Sequence, residues 1–532
     1  MALLPARWRF ARETRTLTPS SDPLVAPASS NQISESAAAP ENSPALAVSL
    51  QFVRKHWGRI LAVSAIVLVP CWWQRRIEAC DLGSHVYNAW LAQLIRHGEA
   101  PGLWLAHPWT NVLFDLLLSF FGSIFGLAGK FHIAEKITVS LCVLIFFWGA
   151  FALITAAARR APWFLTPVIA LVAYGYTFRM GFFNYYLAIG LSFFALAIFW
   201  RGRGWERLIA VAIAPLVLLA HAIGFIWLIG AALYIALAEM IPGRKQFLLL
   251  VPAAGALLAQ HYYFWHHFIV EAAPESPFWY SGADQLVLFG DRYWICAGAL
   301  IAFVLIALAI DLIRRRREHG LAHDFRIPLQ LYILAALAVP LLPRGVHITN
   351  TVPIALLTDR LTTVSAVLIC CLLGAMRPSR WHLAATAAIA ALFFAFVYQD
   401  TAKLNRMEAQ AEQLVRTLPR NSRVMATIEP PWESRILIQH MIDRACVGYC
   451  FSYGNYEPSS GVFRVRSTPG NPYVLNDYND AVDMEDGYYT VQPEDLPAYE
   501  VYECDATGTL LCVRPLEAGE DNDETGYHPG PQ

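Results

Sequence analysis

Uncharged apolar runs recur along most of this chain, between Trp57 and Tyr398, and they restrict its fold more than any other feature. They are Ile60–Trp73, Ile137–Ala158, Ala161–Phe178, Met180–Trp200, Leu208–Ala238, Gln246–Val270, Tyr293–Ile310, Ile327–Pro343, Leu361–Met376 and Trp381–Gln399. A helix crossing a hydrocarbon core of about 30 Å needs roughly 20 such residues. Leu208–Ala238 would reach about 46 Å as one helix, so we divide it at Leu219–Gly224, around His221. The expected fold is an all-α polytopic membrane domain of about eleven transmembrane helices, with a small C-terminal α/β domain. Composition agrees: only 15% of residues are charged, against about a quarter in soluble domains. A formal charge of −1 gives no bulk basic balance, so nucleic acid is not an expected partner.

The loop charges set the expected topology, because cationic connectors stay cytoplasmic. Arg54, Lys55 and Arg59 place the N-terminus inside, as do Arg159-Arg160, Arg201–Arg207, Arg244-Lys245, Arg314–Arg317 and Arg377/Arg380 for the later loops. All fall on one side only if Thr110–Leu127, apolar except for Asp115, is re-entrant or interfacial. An ionisable group at membrane depth costs about 2.5–3.5 kcal/mol unless it faces protein or water, which supports that choice. The expected location is a bacterial inner (cytoplasmic) membrane, N-terminus cytosolic and C-terminal domain periplasmic.

Four regions follow: a disordered, Ala/Ser/Pro-rich tail over 1–52; a transmembrane domain over 53–400, with its first outer loop at 74–136; a periplasmic α/β domain over 401–515; and a disordered end over 516–532. The third region has a helical pattern over Lys403–Leu418, and strand-like pieces at Arg423–Ile428, Val462–Val465, Tyr488–Val491, Val501–Cys504 and Leu510–Val513. Four of the ten cysteines lie there. In an oxidising periplasm, Cys446–Cys450 and Cys504–Cys512 bridges are expected. Zinc is the rival, although the pairs lack the two-residue spacing usual in structural sites.

The first outer loop carries the main chemical signal. Leu82–Ile95 has the spacing of an interfacial helix, with Asp81 at its N-cap and His85 one turn on. Asp81 either caps the helix or supplies a carboxylate for chemistry. His107-Pro108-Trp109-Thr110-Asn111, Asp115 and Phe125-Gly126 follow. Asp115 with Asn111 can equally be a structural polar pair, His221 a turn cap, and Arg360 the partner of Asp359. The His261–His267 run reads as an interfacial aromatic belt or as a metal site. No Gly-x4-Gly-Lys loop, dinucleotide Gly-x-Gly-x-x-Gly or His-Glu-x-x-His is present, and no internal repeat points to an inverted-repeat transporter.

An N-in first span, an outer loop opening on Asp81, His107-Pro108 and Phe125-Gly126 together resemble the GT-C superfamily of polytopic glycosyltransferases, over about Trp57–Trp200. Where members typically carry Asp-Glu or Glu-Asp, this chain has Asp81-Leu82. More closely, Asp81-x3-His85, Asn111-x3-Asp115, Gly181-Phe182-Phe183-Asn184 and Leu219-Ala220-His221 resemble a group of bacterial multi-span proteins of unassigned function.

The resemblance implies transfer of a sugar from a polyprenyl-phosphate carrier to an envelope glycan, lipid or protein acceptor at the outer leaflet or in the periplasm. Such a reaction needs a base and cations for the leaving phosphate. The catalytic candidates are Asp81, His85 and Asp115. The substrate-binding candidates are Asn111, Arg179, Asn184, His221, Arg344 and Arg360. A divalent metal is a further candidate participant, with no ligand set assigned. The alternatives are a transporter or flippase of a lipid-linked saccharide, and a non-catalytic membrane assembly protein.

Overall fold

The computed structural model describes residues 45–125, 131–272, 280–317, 323–347, 352–377, 379–428, 434–485, 487–505 and 508–521. The expected disorder of residues 1–44 and 522–532, and the position of Gly126, lie outside the described residues. Residues 45–52, assigned above to the disordered tail, are helical.

The described chain is mostly helical. Helix α1 (Ala45–Trp72) is followed by α2 (Leu82–His97), the short strand β1 (Leu103–Leu105) and α3 (Leu113–Phe125). The bundle continues through α4 (Phe131–Ala158), α5 (Thr166–Ala173), α6 (Tyr176–Arg179), α7 (Phe183–Arg201), α8 (Glu206–Ala220), α9 (Ala222–Met240) and α10 (Leu250–His267). After β2 (Ile269–Glu271) come α11 (Tyr293–Arg317), α12 (His323–Leu341), β3 (Gly345–His347), α13 (Leu357–Gly374) and α14 (Arg380–Val415).

Among the described residues, seven helices are long and apolar enough to cross a membrane: α4, α7, α9, α10 with the turn before it, α11, α13 and α14. The other four expected spans also coil, but not as full apolar crossings. Ala161–Phe178 is the clearest departure. A 3₁₀ turn at Trp163–Leu165 leads into α5, which stops after eight residues, and α6 restarts beyond Tyr174-Gly175. Helix α8 has 15 residues with Pro215 inside, and α12 contributes only a short apolar stretch, Phe325–Leu341. Helix α1 carries Arg54, Lys55 and Arg59 within its length.

The bundle packs by close approach of small residues, as helices must when lipid gives no hydrophobic drive between them. A Cβ on Gly149 of α4 would lie 2.3 Å from the Gly190 carbonyl oxygen of α7. Helix α10 buries no residue and leaves Val251 and Leu258 exposed, as a lipid-facing helix should.

The position of α3 follows from its neighbours. Lys136 Nζ donates to the Gln74 carbonyl at 2.7 Å, and the Ile77 amide donates to Glu135 at 3.1 Å. Helix α4 therefore starts beside the end of α1. Both ends of α3 lie at that one end of the bundle, and its 13 residues reach only about 20 Å. Strand pairing gathers other connectors there: β2 pairs with β3, and β1 pairs with β6 (Val465–Ser467) from the C-terminal region.

The C-terminal region starts within α14, which runs on through Asp400. Its sheet has the order β5-β4-β7-β8, with β4 at Arg423–Thr427, β5 at Phe451–Ser452, β7 at Ala498–Glu503 and β8 at Leu511–Pro515. Strand β4 is parallel to β5 and β7, and β8 closes the edge antiparallel. Tyr488–Val491, expected as a strand, contributes only the isolated bridge Thr490–Asp521. Gly487 precedes it with φ +83° and Pro493 follows, and these flanks leave no room for a ladder. Three short helices complete the region: α15 (Met441–Cys446), α16 (Glu457–Ser460) and α17 (Tyr478–Glu485). Cys446 is bonded to Cys450, and Cys504 to Cys512.

A buried ionic network ties this region to the bundle. Arg444 of α15 reaches Glu408 (2.5 Å), Glu135 (3.1 Å) and Glu78 (3.4 Å), while Arg76 binds Glu408 (3.0 Å) and Glu412. Burial, then repulsion from Glu408, pushes the Glu78 carboxyl up to about 8. A protonated Glu78 leaves the buried charges close to balance.

Candidate functional site

A cavity of about 1060 Å³ lies where the first outer loop, the α6–α7 turn, the α8–α9 turn, the segment before α13 and the C-terminal region meet. Asp81, His85, Asn111, Asn184, His221 and Arg360 all line it. In sequence, Asp81, His85 and Asn111 share the first outer loop while Asn184, His221 and Arg360 lie in three distant segments; the fold brings all six to one space.

Asp81 sits at the start of α2 with helical φ and ψ, and its side chain makes no capping hydrogen bond. The capping role is therefore not the one its carboxylate performs. The group is half-buried, and its charge acts on Arg360 and His85. The Gly181 motif holds it in place. Gly181 turns with φ +79°, and a Cβ there would lie 2.6 Å from the Asp81 amide nitrogen. Only glycine meets both conditions. The same approach lets the Asp81 amide donate to the Met180 carbonyl.

His85 and Asp115 form a pair behind this carboxylate. His85 Nδ1 is 2.7 Å from Asp115 Oδ1, and Asn184 Nδ2 donates to Asp115 Oδ2 at 2.8 Å. Asn184 Oδ1 in turn accepts the Phe114 amide, fixing the start of α3. Asp115 is thus held by His85 and Asn184 rather than by Asn111, which takes a left-handed φ of 55° at the cavity wall. Burial opposes a charge on His85, but Asp115 outweighs it, and the imidazole is raised to about 9. His85 is a cation at neutral pH.

Opposite lies a pair of donors. The Ile223 amide donates to His221 Nδ1 at 3.2 Å, so the neutral ring carries its proton on Nε2. His221 therefore does cap the α8–α9 turn, and it also points a donor at the cavity. That donor stands 3.4 Å from Arg360 Nη1, which is also a donor. The Arg360 guanidinium lies 4.2 Å over the Phe182 ring, and its buried Nε has no hydrogen-bond partner among the described residues. Two donors facing each other call for an acceptor from outside, and a phosphate oxygen has the right chemistry. The same tautomer makes His221 a poor metal ligand through Nε2.

Other candidates lie elsewhere. Arg179 is buried and donates from Nη1 to the Glu78 carbonyl at 2.6 Å, a structural role beneath the cavity. Arg344 pairs with Asp359 at 3.4 Å and does not line the cavity. The His261–His267 run closes α10; His266 and His267 are exposed and bond carbonyls one turn back, while half-buried His261 has Nδ1 2.9 Å from the Leu341 carbonyl. Among the described residues, no three His, Cys, Asp or Glu side chains are placed to hold a metal ion.

The sequence reading missed the wall supplied by the C-terminal region: Gln439, Tyr456, Glu457 and Arg466. Glu457 accepts from Ser84 Oγ (2.9 Å) and Asn88 Nδ2 (2.7 Å) of α2. Burial raises its carboxyl to about 7, against the pull of His85.

The chain matches no family model, no curated protein and no solved structure.

Proposed function

We propose that this chain is an integral membrane glycosyltransferase. It moves a sugar from a polyprenyl-phosphate donor to an acceptor at the outer leaflet or in the periplasm. The observation that carries the reading is the cavity, where the uncapped Asp81 carboxylate shares one space with the His221–Arg360 donor pair. Arg360 and His221 would bind the phosphate, and the sugar's anomeric carbon would lie toward Asp81. As the bond from that carbon to the phosphate oxygen breaks, its electron pair goes to the phosphate. Asp81 takes the proton of the attacking acceptor hydroxyl, as the hydroxyl oxygen bonds to the anomeric carbon. The cavity is lined by the connectors at the end of the bundle away from the basic loops. A bacterial inner membrane, with that end periplasmic, accords with the two disulfides of the C-terminal region.

The test is Asp81→Asn, assayed for transfer from a polyprenyl-phosphate sugar. Loss of a positioned base lowers rates by about 10²–10⁴-fold, and a folded variant should fall in that range. Near-normal turnover would remove Asp81 from the chemistry. Donor binding with no turnover in the unmodified protein would leave a transporter or flippase of the same lipid-linked saccharide.

A further inference from the structure

The cavity has a second, chemically different wall. Glu457 is 8% exposed, and each carboxylate oxygen is fixed by a donor from α2. Asn455 Nδ2 holds the Asn88 amide oxygen at 3.3 Å, so this arrangement is locked from both sides. Beside it, Trp104 and Arg466 are direct cross-strand partners on β1 and β6, the guanidinium 5.4 Å from the indole ring. Trp104 is nevertheless 44% exposed and Trp109 69%, both on the cavity lining. Large indoles left open beside a fixed carboxylate do not suit an acyl chain.

We propose that this wall, half from the first outer loop and half from the C-terminal region, is an acceptor subsite for a saccharide, with Glu457 binding an acceptor hydroxyl. The inference rests on the glycosyltransferase reading and names its acceptor class. A pyranose has one face of C–H groups, which packs on an indole, and an edge of hydroxyls, which donate to a carboxylate and accept from an amide or guanidinium. Trp104, Glu457, Gln439 and Arg466 supply that combination. A pocket for one drug-sized ligand occupies about 300–1,000 Å³; the cavity, at about 1060 Å³, has room for a donor headgroup and a second sugar together. The subsite's carboxyl lies near neutrality, so it can accept from a hydroxyl or donate to one.

The experiment is saturation-transfer NMR on the full-length protein in lipid nanodiscs, using maltotriose, chitotriose and mannotriose as probes. Saturation should reach at least one trisaccharide. Glu457→Gln should weaken that binding by about tenfold or more, the range of one hydrogen bond to a charged group. Trp104→Ala, at an exposed position, should do the same without disturbing the fold. Silence from all three probes, or unchanged affinity in both variants, overturns the subsite. Trisaccharide binding without any transfer from a polyprenyl-phosphate sugar would sink the enzyme reading and leave the subsite standing. Transfer to a non-sugar acceptor with no trisaccharide binding would do the reverse.

Discussion

Replacing Asp115 by Asn should change the charge state of His85 and, with it, the pH dependence of stability. In the wild-type protein Asp115 sits 2.7 Å from the ring and raises it from an ordinary 6.5 to about 9 despite burial. A rise of that size corresponds to about 3 kcal/mol of linked stability. The folded value lies above the unfolded one, so this contribution is complete below pH 6.5 and fades as the pH climbs through 9. Asn keeps the shape and a hydrogen bond but not the charge. Burial then dominates, and the His85 midpoint should fall toward 6.5 or below. The assay is ¹⁵N-histidine NMR in nanodiscs, with His85→Gln assigning its signal among the 15 histidines. Thermal melts across pH 6–10 should accompany it. The wild-type ring should still be protonated at pH 8 and the variant's neutral, with a flatter stability profile for the variant. A midpoint that does not move on Asp115→Asn would refute the pairing.

Two further outcomes follow from the same geometry. Arg444→Met leaves Glu78, Glu135 and Glu408 facing Arg76 alone, and breaking a buried pair from one side costs about 3–5 kcal/mol. The melting temperature should drop clearly at neutral pH and recover partly toward pH 5 as Glu135, whose carboxyl burial pushes up, takes a proton; an unchanged melt would deny the network its role. Topology reporters after Arg160, Arg207, Lys245 and Arg317 should read cytoplasmic, and one after Lys403 periplasmic. A periplasmic reading at Arg317 would put the cavity-forming connectors on two faces.

Much of this architecture was legible because lipid allows few solutions. The apolar runs mark the helices, and the turn at His221 follows from length alone. Ala161–Phe178 misled because hydropathy does not register a break: Pro167 opens α5 after the 3₁₀ turn, and Gly175 separates α5 from α6. The site was half legible. Asp81, His85, Asn184, His221 and Arg360 stand out because polar side chains beside apolar runs are unusual. Arg179 stands out equally, yet it braces the Glu78 carbonyl; sequence cannot tell a cation that serves the backbone from one that serves a ligand. Glu457 gave no signal. Acidic residues are common in its stretch, and only the packing of α16 against α2, more than 350 residues earlier in the chain, makes it a cavity residue. The Asp81 question was open in sequence because cap and base share one position; the side chain makes no capping bond, and the Asp81→Asn assay tests the base role.

The central claim is that the cavity binds a polyprenyl phosphate by the His221–Arg360 pair, with Asp81 at the sugar. Cryo-electron microscopy of the full-length protein with polyprenyl phosphate tests it directly. The account predicts phosphate density between Arg360 and His221 Nε2, with the carbon next to the phosphate pointing toward Asp81. Phosphate density outside this cavity, with Arg360 and His221 still facing each other unfilled, would contradict it.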